Sequence, residues 1–336
     1  MTPQRILLVG GSGFMGRHVS HALVAAGHHV TVLARHARPA DGIEALPADR
    51  SDPVALAGAL EGQRFDLTVD FLVYDAVDID RLLKIPHAAL GRYVMISTGQ
   101  VYLIAQGSAP PYREEDADHD LIPAPPVDHR DYGGWEYGVG KRRAEKTLLA
   151  LRGTHGMRAL ALRLPIVQGA GDGSLRLWAW LERMLDGGPI LLPDGGERPI
   201  RHVWAGDVAR AVVWLAEHDA PRQAFYNLAQ PDTLPLRDFL ERVARAANLN
   251  PTFVNVSWDE LLAAGFDEID LAPYASRWAS RLDPARAAGE WGFVGTGVDE
   301  YLPEVVRWHL ENRPRESHPG YATRARELEF ARGART

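Results

Sequence analysis

Residues 6–16, ILLVGGSGFMG, decide the fold of this chain of 336 residues. The apolar run at residues 6–9 predicts a strand that is buried on both faces, as in a parallel sheet covered by helices. Apolar residues then recur at helical spacing from Met15 to Ala26, and Gly27 ends this pattern as a helix C-cap does. The order strand, glycine turn, helix predicts the first half of a βαβ unit.

Further buried strands are predicted downstream of this unit, with helical stretches between them. They cover residues 29–33, 67–73, 93–97 and 159–164. A helix is expected from Tyr137 to Leu151, and Leu177, Trp178, Leu181 and Leu185 predict a later amphipathic helix that packs on the core. This alternation predicts an α/β fold built on a doubly wound parallel sheet.

Composition and charge exclude some classes of protein and disfavour others. The net charge is −7 and no basic cluster stands out, so a nucleic-acid partner is not expected. There is no cysteine, which excludes disulfides, thiolate metal sites and thiol catalysis. No signal-peptide core or membrane span is evident at the start, so we expect a cytoplasmic protein with no membrane partner.

The glycines of the opening motif predict a dinucleotide site. Gly10 makes a tight turn, Gly13 lets a pyrophosphate approach the backbone, and Gly16 lets helix and strand pack closely. The amides at the helix start, including those of Phe14 and Met15, would face the phosphates with the positive end of the helix dipole.

The end of the second predicted strand bears on the choice of cofactor. An acidic residue at this place binds the adenosine ribose of NAD, but the sequence here is VTVLARHAR. Ala34 takes the place of the acid and Arg35 follows, so a 2′-phosphate would meet a cation rather than a carboxylate. NADP is therefore favoured, with NAD as the alternative, and Arg35 is the residue that would discriminate.

Proton transfer is predicted for a tyrosine and a lysine four residues apart. Tyr137 and Lys141 share one helix face. A free tyrosine titrates near pH 10, and a neighbouring ammonium favours its anion, so Tyr137 would exchange a proton with a substrate hydroxyl or ketone. The strand at residues 93–97 brings Ser97 and Thr98 to the edge of the sheet where ligands bind, and Thr98 would orient the reacting oxygen.

These motifs resemble the extended short-chain dehydrogenases, a family of nucleotide-sugar epimerases, dehydratases and reductases. The resemblance spans nearly the whole chain and is carried by GGSGFMG, ISTGQVY, YGVGK, LRLPIVQG, DVARAVVWLAE, YNLAQPDTLPLRDFLERVARAAN and LDPARAAGEWGF. It implies a Rossmann fold, a catalytic triad of Thr98, Tyr137 and Lys141, and cofactor contacts from Lys141 to the nicotinamide ribose. It also implies adenine contacts from Asp49 and Arg50, and a nicotinamide site near Pro165 and Val167.

The pattern along the chain predicts a domain organisation. We expect a dinucleotide-binding domain at residues 1–170, with a lid-like loop at 105–134 that is rich in Pro, Asp and Gly. A smaller mixed α/β substrate lobe at 171–312 would interleave with it. Residues 313–336 would form a charged tail, either a surface helix or disordered. The resemblance leaves the oligomeric state open and, where a homodimer forms, points to the helix that begins at Tyr137 as its contact.

Departures from the family pattern narrow the function. Gly99-Gln100 replaces the acidic pair that 4,6-dehydratases carry after the threonine, so dehydration is not expected. Leu103 replaces a glycine, and Trp204 replaces the histidine of a His-Val-x-Asp pattern, with His202 displaced. The expected activity is an NAD(P)-dependent epimerase or ketoreductase acting on a secondary alcohol or ketone of a nucleotide sugar or similar small molecule. The alternative is a non-catalytic module that senses dinucleotide or binds RNA or protein.

Two further signals carry no assignment. His18 and His21 lie three apart on a predicted helix without a third ligand, so no metal is assigned. The acidic residues between Glu114 and Asp120 are expected to form a solvated loop face rather than a site for a cationic substrate.

Overall fold

The computed structural model describes residues 2–85, 89–154, 157–219 and 221–333. Its strands have the following bounds: β1 Arg5–Val9, β2 His29–Ala34, β3 Ile43–Pro47, β4 Leu67–Asp70, β5 Arg92–Thr98, β6 Ala159–Leu164, β7 Val167–Gln168, β8 Ile190–Pro193, β9 Pro199–Ile200, β10 Val203–Trp204, β11 Phe225–Asn227, β12 Leu234–Pro235 and β13 Phe253–Val256. Its helices have the following bounds: α1 Phe14–Ala25, α2 Pro53–Leu60, α3 Ala76–Leu83, α4 Gln100–Leu103, α5 Tyr132–Thr154, α6 Arg176–Leu185, α7 Ala205–Glu217, α8 Leu236–Ala246, α9 Trp258–Ala263, α10 Glu268–Leu271, α11 Ala285–Trp291, α12 Val298–Glu311 and α13 Arg324–Gly333.

The chain divides into two compact units that alternate along the sequence. The first unit comprises the residues up to Pro165 together with Ala205–Ala229 and Leu282–Gly295. The second unit comprises Ile166–Trp204, Gln230–Arg281 and the residues from Thr296 onward.

A seven-stranded parallel sheet forms the centre of the first unit. Its strand order is β11-β6-β5-β4-β1-β2-β3, and every neighbouring pair is parallel. Residues 6–9 of β1 are fully buried, because alternate side chains point to opposite faces and helices cover the sheet. Leu7 and Val9 share a core with Leu56 of α2, Ile79 of α3 and Leu148 of α5. The predicted Rossmann-type α/β fold is confirmed.

The strand predicted at residues 67–73 is too long in the sequence-based interpretation. In the structure β4 ends at Asp70, whose carboxylate accepts a hydrogen bond from the amide of Leu72 at 3.0 Å. This Asx-type turn bends the chain out of the sheet, although the residues that follow are still apolar.

Helix α5 begins at Tyr132, five residues before the predicted start at Tyr137. Gly133 and Gly134 suggested a loop, but tertiary contacts hold this turn in helical form. The indole of Trp135 donates to Ile122 O at 3.2 Å, and the side-chain amide of Gln100 donates to Gly134 O at 3.2 Å.

Among the described residues, the second unit has its own hydrophobic core, three two-stranded sheets and helices α6, α8, α9, α10, α12 and α13. The amphipathic helix predicted around Trp178 is α6, and Trp178 is buried in this core as expected. The charged C-terminal stretch forms α13, and its buried Glu327 accepts two hydrogen bonds from Arg183 at 2.6 and 2.9 Å. Within the described part of the chain, no helix combines the length and apolar character needed to cross a bilayer.

Candidate active site

The glycine motif forms a tight turn between β1 and α1. Gly10 has φ +81°, a left-handed conformation that favours glycine. A Cβ on Gly16 would lie 2.5 Å from the backbone of Gly11, so glycine is needed for the helix to pack against the turn. Gly13 differs, because its added Cβ would meet only Gly10 O, at 3.4 Å. Internal packing therefore does not demand glycine at position 13, and the space in front of this residue suits a pyrophosphate.

The start of α1 presents backbone amides in front of the same turn. The first helical hydrogen bond runs from Arg17 N to Gly13 O at 3.0 Å, and no side chain caps the helix. The amides of Phe14, Met15 and Gly16 precede that bond, and the first turn contains no acidic residue. This end of α1 therefore fits the phosphates of a dinucleotide.

A pocket of about 260 Å³ continues from the glycine turn along the ends of β2 and β3. Gly10, Gly13, Ala34, Arg35 and Asp49 all line it. The structure thus brings together the glycines, the expected cofactor-discriminating arginine and both expected adenine contacts, Asp49 and Arg50. The lining fits the adenosine half of a dinucleotide.

Opposite charges meet in this pocket. Asp49 accepts hydrogen bonds from the amide of Ser51 at 2.8 Å and from its hydroxyl at 2.5 Å. These bonds, together with the charge of Arg35, lower the pKa of Asp49. The side chain of Arg35 is exposed.

The second expected adenine contact, Arg50, also lines the pocket, but its guanidinium is used inside the protein. It binds Asp70 at 2.6 Å and donates to Asp78 O at 2.7 Å. Asp70 also accepts the hydroxyl of Tyr93 at 2.8 Å. Arg50 therefore braces β4 against α3, and a contact from its side chain to a cofactor stays a prediction.

Tyr137 and Lys141 lie together on α5 beside strand β5. The ammonium of Lys141 donates to Ile96 O at 2.9 Å and lies 5.6 Å from the centroid of the Tyr137 ring. Lys141 is 3% exposed, whereas Tyr137 is 38% exposed. Thr98 ends β5 two residues beyond Ile96, and its hydroxyl accepts from the amide of Gln100 at 3.2 Å.

Burial makes the side chain of Lys141 a weaker base than a free lysine. Loss of solvent lowers its pKa from 10.5 to about 8, and the charges of Asp70, Glu145 and Asp78 oppose this effect in part. An ammonium that is charged near neutral pH and poorly screened can stabilise the phenolate of an adjacent tyrosine.

Three residues at this site, Tyr74, Glu145 and Arg163, were not predicted from the sequence. Tyr74, in the turn after β4, has its ring centroid 5.5 Å from Nζ of Lys141. Glu145 accepts hydrogen bonds from Ser97 at 2.7 Å and from Arg163 at 2.9 and 2.7 Å. The spacing of four residues from Lys141 to Glu145 was a usable signal, whereas nothing in the sequence places Tyr74 beside α5.

The two residues expected near the nicotinamide fall in different units. Pro165 follows β6 in the first unit, and Val167 begins β7 in the second unit, where it pairs with Val203. Their part in cofactor binding stays a prediction. His202, noted for its displacement, is buried in the second unit against Phe239 and Tyr274, and burial lowers its pKa to about 3.

The acidic segment that contains Glu114 is partly buried. Glu114, expected on a solvated face, is instead buried, because it accepts from the amide of Asn227 at 2.8 Å and lies 3.4 Å from Arg286. The centre of the segment at 105–134 is thereby fixed to the sheet, and its function as a lid stays a prediction. In the described ranges, no three His, Cys, Asp or Glu side chains gather as a metal site.

Comparisons with known proteins show the family of this chain. The model of the NAD dependent epimerase/dehydratase family matches residues 6–229. The 2′-dehydrokanamycin reductase of Streptomyces kanamyceticus is 31% identical over 288 residues, which are 83% of this chain and 76% of the relative. The dTDP-6-deoxy-L-talose 4-dehydrogenase (NAD(P)(+)) of Kitasatospora kifunensis is 30% identical over 202 residues, which are 55% of this chain and 59% of the relative.

A solved structure extends the likeness to the fold. The UDP-glucuronic acid 4-epimerase from Bacillus cereus, in complex with UDP-glucuronic acid and NAD, has a TM-score of 0.68 at 16% identity and covers 92% of this chain and 99% of its own. With the family model covering two thirds of the sequence, the chain belongs to the NAD dependent epimerase/dehydratase family, the extended short-chain dehydrogenases and reductases.

Proposed function

We propose that the protein is an NADPH-linked ketoreductase that reduces a ketone on a sugar or a similar polar small molecule. The observation that carries the proposal is the pairing of Tyr137 with the buried ammonium of Lys141, in a unit that also contains the glycine turn and its pocket. The likeness to 2′-dehydrokanamycin reductase favours net reduction.

Each residue has a defined part in the proposed reaction. Phe14, Met15 and Gly16 bind phosphate through their amides, and Thr98 orients the reacting oxygen. Tyr137 gives its proton to the ketone oxygen, and Lys141 stabilises the phenolate that remains. A bound nicotinamide supplies the hydride.

Dehydration is not part of the proposal. Gly99 and Gln100 follow Thr98 where a 4,6-dehydratase needs an acid and a base. The side-chain amide of Gln100 instead donates to Gly134 O at 3.2 Å. The expected cytoplasmic location and homodimer stay predictions.

The experiment that tests the reaction class is a cofactor balance. The purified protein is incubated with NADPH and 2′-dehydrokanamycin, and separately with NAD and UDP-glucuronic acid. A reductase oxidises one NADPH for each ketone reduced. An epimerase, the second candidate within the family, inverts the sugar with no net change in reduced cofactor, and that result would replace the proposal.

NADP preference is tested at Arg35. Charge-assisted hydrogen bonds contribute about 1.5–3 kcal/mol, so Arg35→Ala should weaken NADPH binding by roughly 10- to 100-fold and leave NADH binding nearly unchanged. Arg38→Ala is the matched control, because Arg38 is exposed three residues away and does not line the pocket. An unchanged ratio of the two affinities in Arg35→Ala would assign the preference elsewhere.

A further inference from the structure

A second phenol lies beside Lys141, and the proposed reaction does not use it. Tyr74 belongs to the turn between β4 and α3, and its ring centroid is 6.3 Å from that of Tyr137. The ammonium of Lys141 lies over both rings, at 5.5 Å from the centroid of Tyr74 and 5.6 Å from that of Tyr137. Both distances fall within the range of cation–π attraction.

The backbone fixes Tyr74 in this place independently of its ring. A Cβ on Gly140 would lie 2.3 Å from Tyr74 O, so this glycine lets α5 touch the turn. The amide of Tyr74 donates to Asp78 at 2.8 Å, and Arg143 of α5 binds Asp75 at 3.1 Å. The side chain at position 74 can therefore be changed while the turn stays docked on α5.

Charged groups on the surrounding elements also act on Lys141. The groups that act on it from the surrounding elements are Asp70 of β4, Asp78 of α3, Glu145 of α5 and, with opposite effect, Arg50. Among the described residues, none of these carboxylates is within ion-pair distance of its nitrogen. The carbonyl oxygen of Ile96 at 2.9 Å and the faces of the two tyrosine rings therefore add to the carboxylates in favouring the charged form.

We propose that Tyr74 is a positioning residue that acts through Lys141, because its ring and the ring of Tyr137 form an aromatic clamp that holds the buried ammonium in place and charged. The effect of the clamp on catalysis rests on the proposed function. Its effect on the pKa of Lys141 does not, because that pKa can be measured without turnover. Without the Tyr74 ring, the pKa of Lys141 should fall further below its ordinary value.

The choice of variants separates the ring from its hydroxyl and from its bulk. Tyr74→Phe keeps the aromatic face and removes the hydroxyl. Tyr74→Leu removes the aromatic face but keeps an apolar group over Lys141, so that water does not replace the ring. Tyr132→Leu is the matched control, because Tyr132 is on the same helix as Lys141 and its ring contacts Trp135 rather than Lys141.

The sequence offers a direct measurement that does not need turnover. The chain has three lysines, Lys84, Lys141 and Lys146, of which Lys84 and Lys146 are exposed. Protein with lysine isotope-labelled at Cε should give three NMR signals, and Lys84→Arg and Lys146→Arg assign them. A pH titration then reports the pKa of Lys141 in each variant.

The expected result is specific to the aromatic face. Tyr74→Leu should lower the pKa of Lys141 by about one unit, a tenfold loss of proton affinity. Tyr74→Phe and Tyr132→Leu should leave it within about 0.3 units of the unmodified protein. No change in Tyr74→Leu, or a rise, would overturn the clamp, and equal falls in Tyr74→Phe and Tyr74→Leu would assign the effect to the hydroxyl instead.

A kinetic measurement links the clamp to catalysis. If Lys141 serves turnover, the alkaline fall of kcat/KM should move to lower pH in Tyr74→Leu by the same amount as the NMR titration. A shifted NMR titration with an unshifted pH profile would leave the clamp intact and contradict the proposed function of Lys141. An unshifted NMR titration would contradict the clamp whatever the enzyme does.

Discussion

Two buried cations of the first unit, Lys141 on α5 and Arg163 on β6, are held in opposite ways. Arg163 is 1% exposed and makes four hydrogen bonds, two of them to the carboxylate of Glu145. Lys141 is 3% exposed, and among the described residues its one hydrogen-bond acceptor is Ile96 O. Burial alone would lower both pKa values, but Glu145 and Tyr102 reverse the effect for Arg163 and raise its pKa, whereas the pKa of Lys141 falls to about 8.

The difference indicates what each cation does. A paired and fully hydrogen-bonded cation has little charge left for other groups, and Arg163 joins β6 to α5 and to the segment around Glu114. An ammonium without a carboxylate partner keeps its charge available to Tyr137 and to a bound cofactor, at a cost in stability. Active sites commonly carry this kind of destabilising group.

The largest expected effect is on the paired cation. Arg163→Leu leaves the carboxylate of Glu145 buried and without its partner, which should lower the free energy of unfolding by about 3–5 kcal/mol. Urea unfolding followed by tryptophan fluorescence measures this loss. The double variant Arg163→Leu with Glu145→Leu removes both charges and should be more stable than the single variant. A double variant that is less stable would mean that shape rather than charge holds this cluster.

Replacing Lys141 should change the free energy of unfolding in the opposite direction. Lys141→Met removes a buried charge, whose burial costs about 3 kcal/mol when each pKa unit is about 1.4 kcal/mol. The unpaired Ile96 carbonyl takes back about 1 kcal/mol, so the variant should be more stable than the unmodified protein by about 2 kcal/mol at pH 7. Turnover and cofactor affinity should fall in the same variant. A loss of stability would mean that Lys141 is a structural cation like Arg163.

The pH dependence of that stability difference follows from the depressed pKa. Below about pH 8 the folded and unfolded chains both hold the proton, so the full cost of burial is present. Between about 8 and 10.5 the folded chain releases the proton while the unfolded chain keeps it, so the unmodified protein gains stability with rising pH. Its deficit relative to Lys141→Met should therefore narrow across this window. A constant difference from pH 7 to pH 10 would contradict the account.

The smallest effect is expected at Ser97, which donates one hydrogen bond to Glu145 at 2.7 Å. Ser97→Ala should lower the free energy of unfolding by about 1 kcal/mol, because Arg163 still holds the carboxylate at two points. A loss as large as that of Arg163→Leu would mean that Ser97, rather than the guanidinium, is the principal partner of Glu145.

The sequence predicted most of the frame that carries these two cations. The apolar strands, the glycine turn and the helix that carries Tyr137 and Lys141 follow from local patterns, and each forms the element predicted for it. The sequence did not predict the features that depend on contacts between distant segments. Strand β4 ends at Asp70, within an apolar run of the sequence. Helix α5 begins at Tyr132 and includes two glycines in its first turn, because tertiary hydrogen bonds hold that turn in helical form.

The same contrast between local patterns and distant contacts applies to the residues of the site. Glu145 lies one helical turn from Lys141, so its face was predictable but its partner Arg163 was not. Arg50 lines the pocket, and the bond from its guanidinium to Asp70, 20 residues away in sequence, is a contact that no local pattern shows. Tyr74 is brought to Lys141 by the absence of a side chain at Gly140, which no pattern in the sequence reveals.

The central claim is that Tyr137 transfers the proton while Lys141 supplies its charge. The most direct test is the Tyr137→Phe variant, assayed for NADPH binding by fluorescence and for ketone-dependent NADPH oxidation on the same preparation. The account predicts an NADPH affinity within about twofold of the unmodified protein and a turnover reduced by about 100-fold or more. Turnover at the unmodified rate in Tyr137→Phe would contradict it.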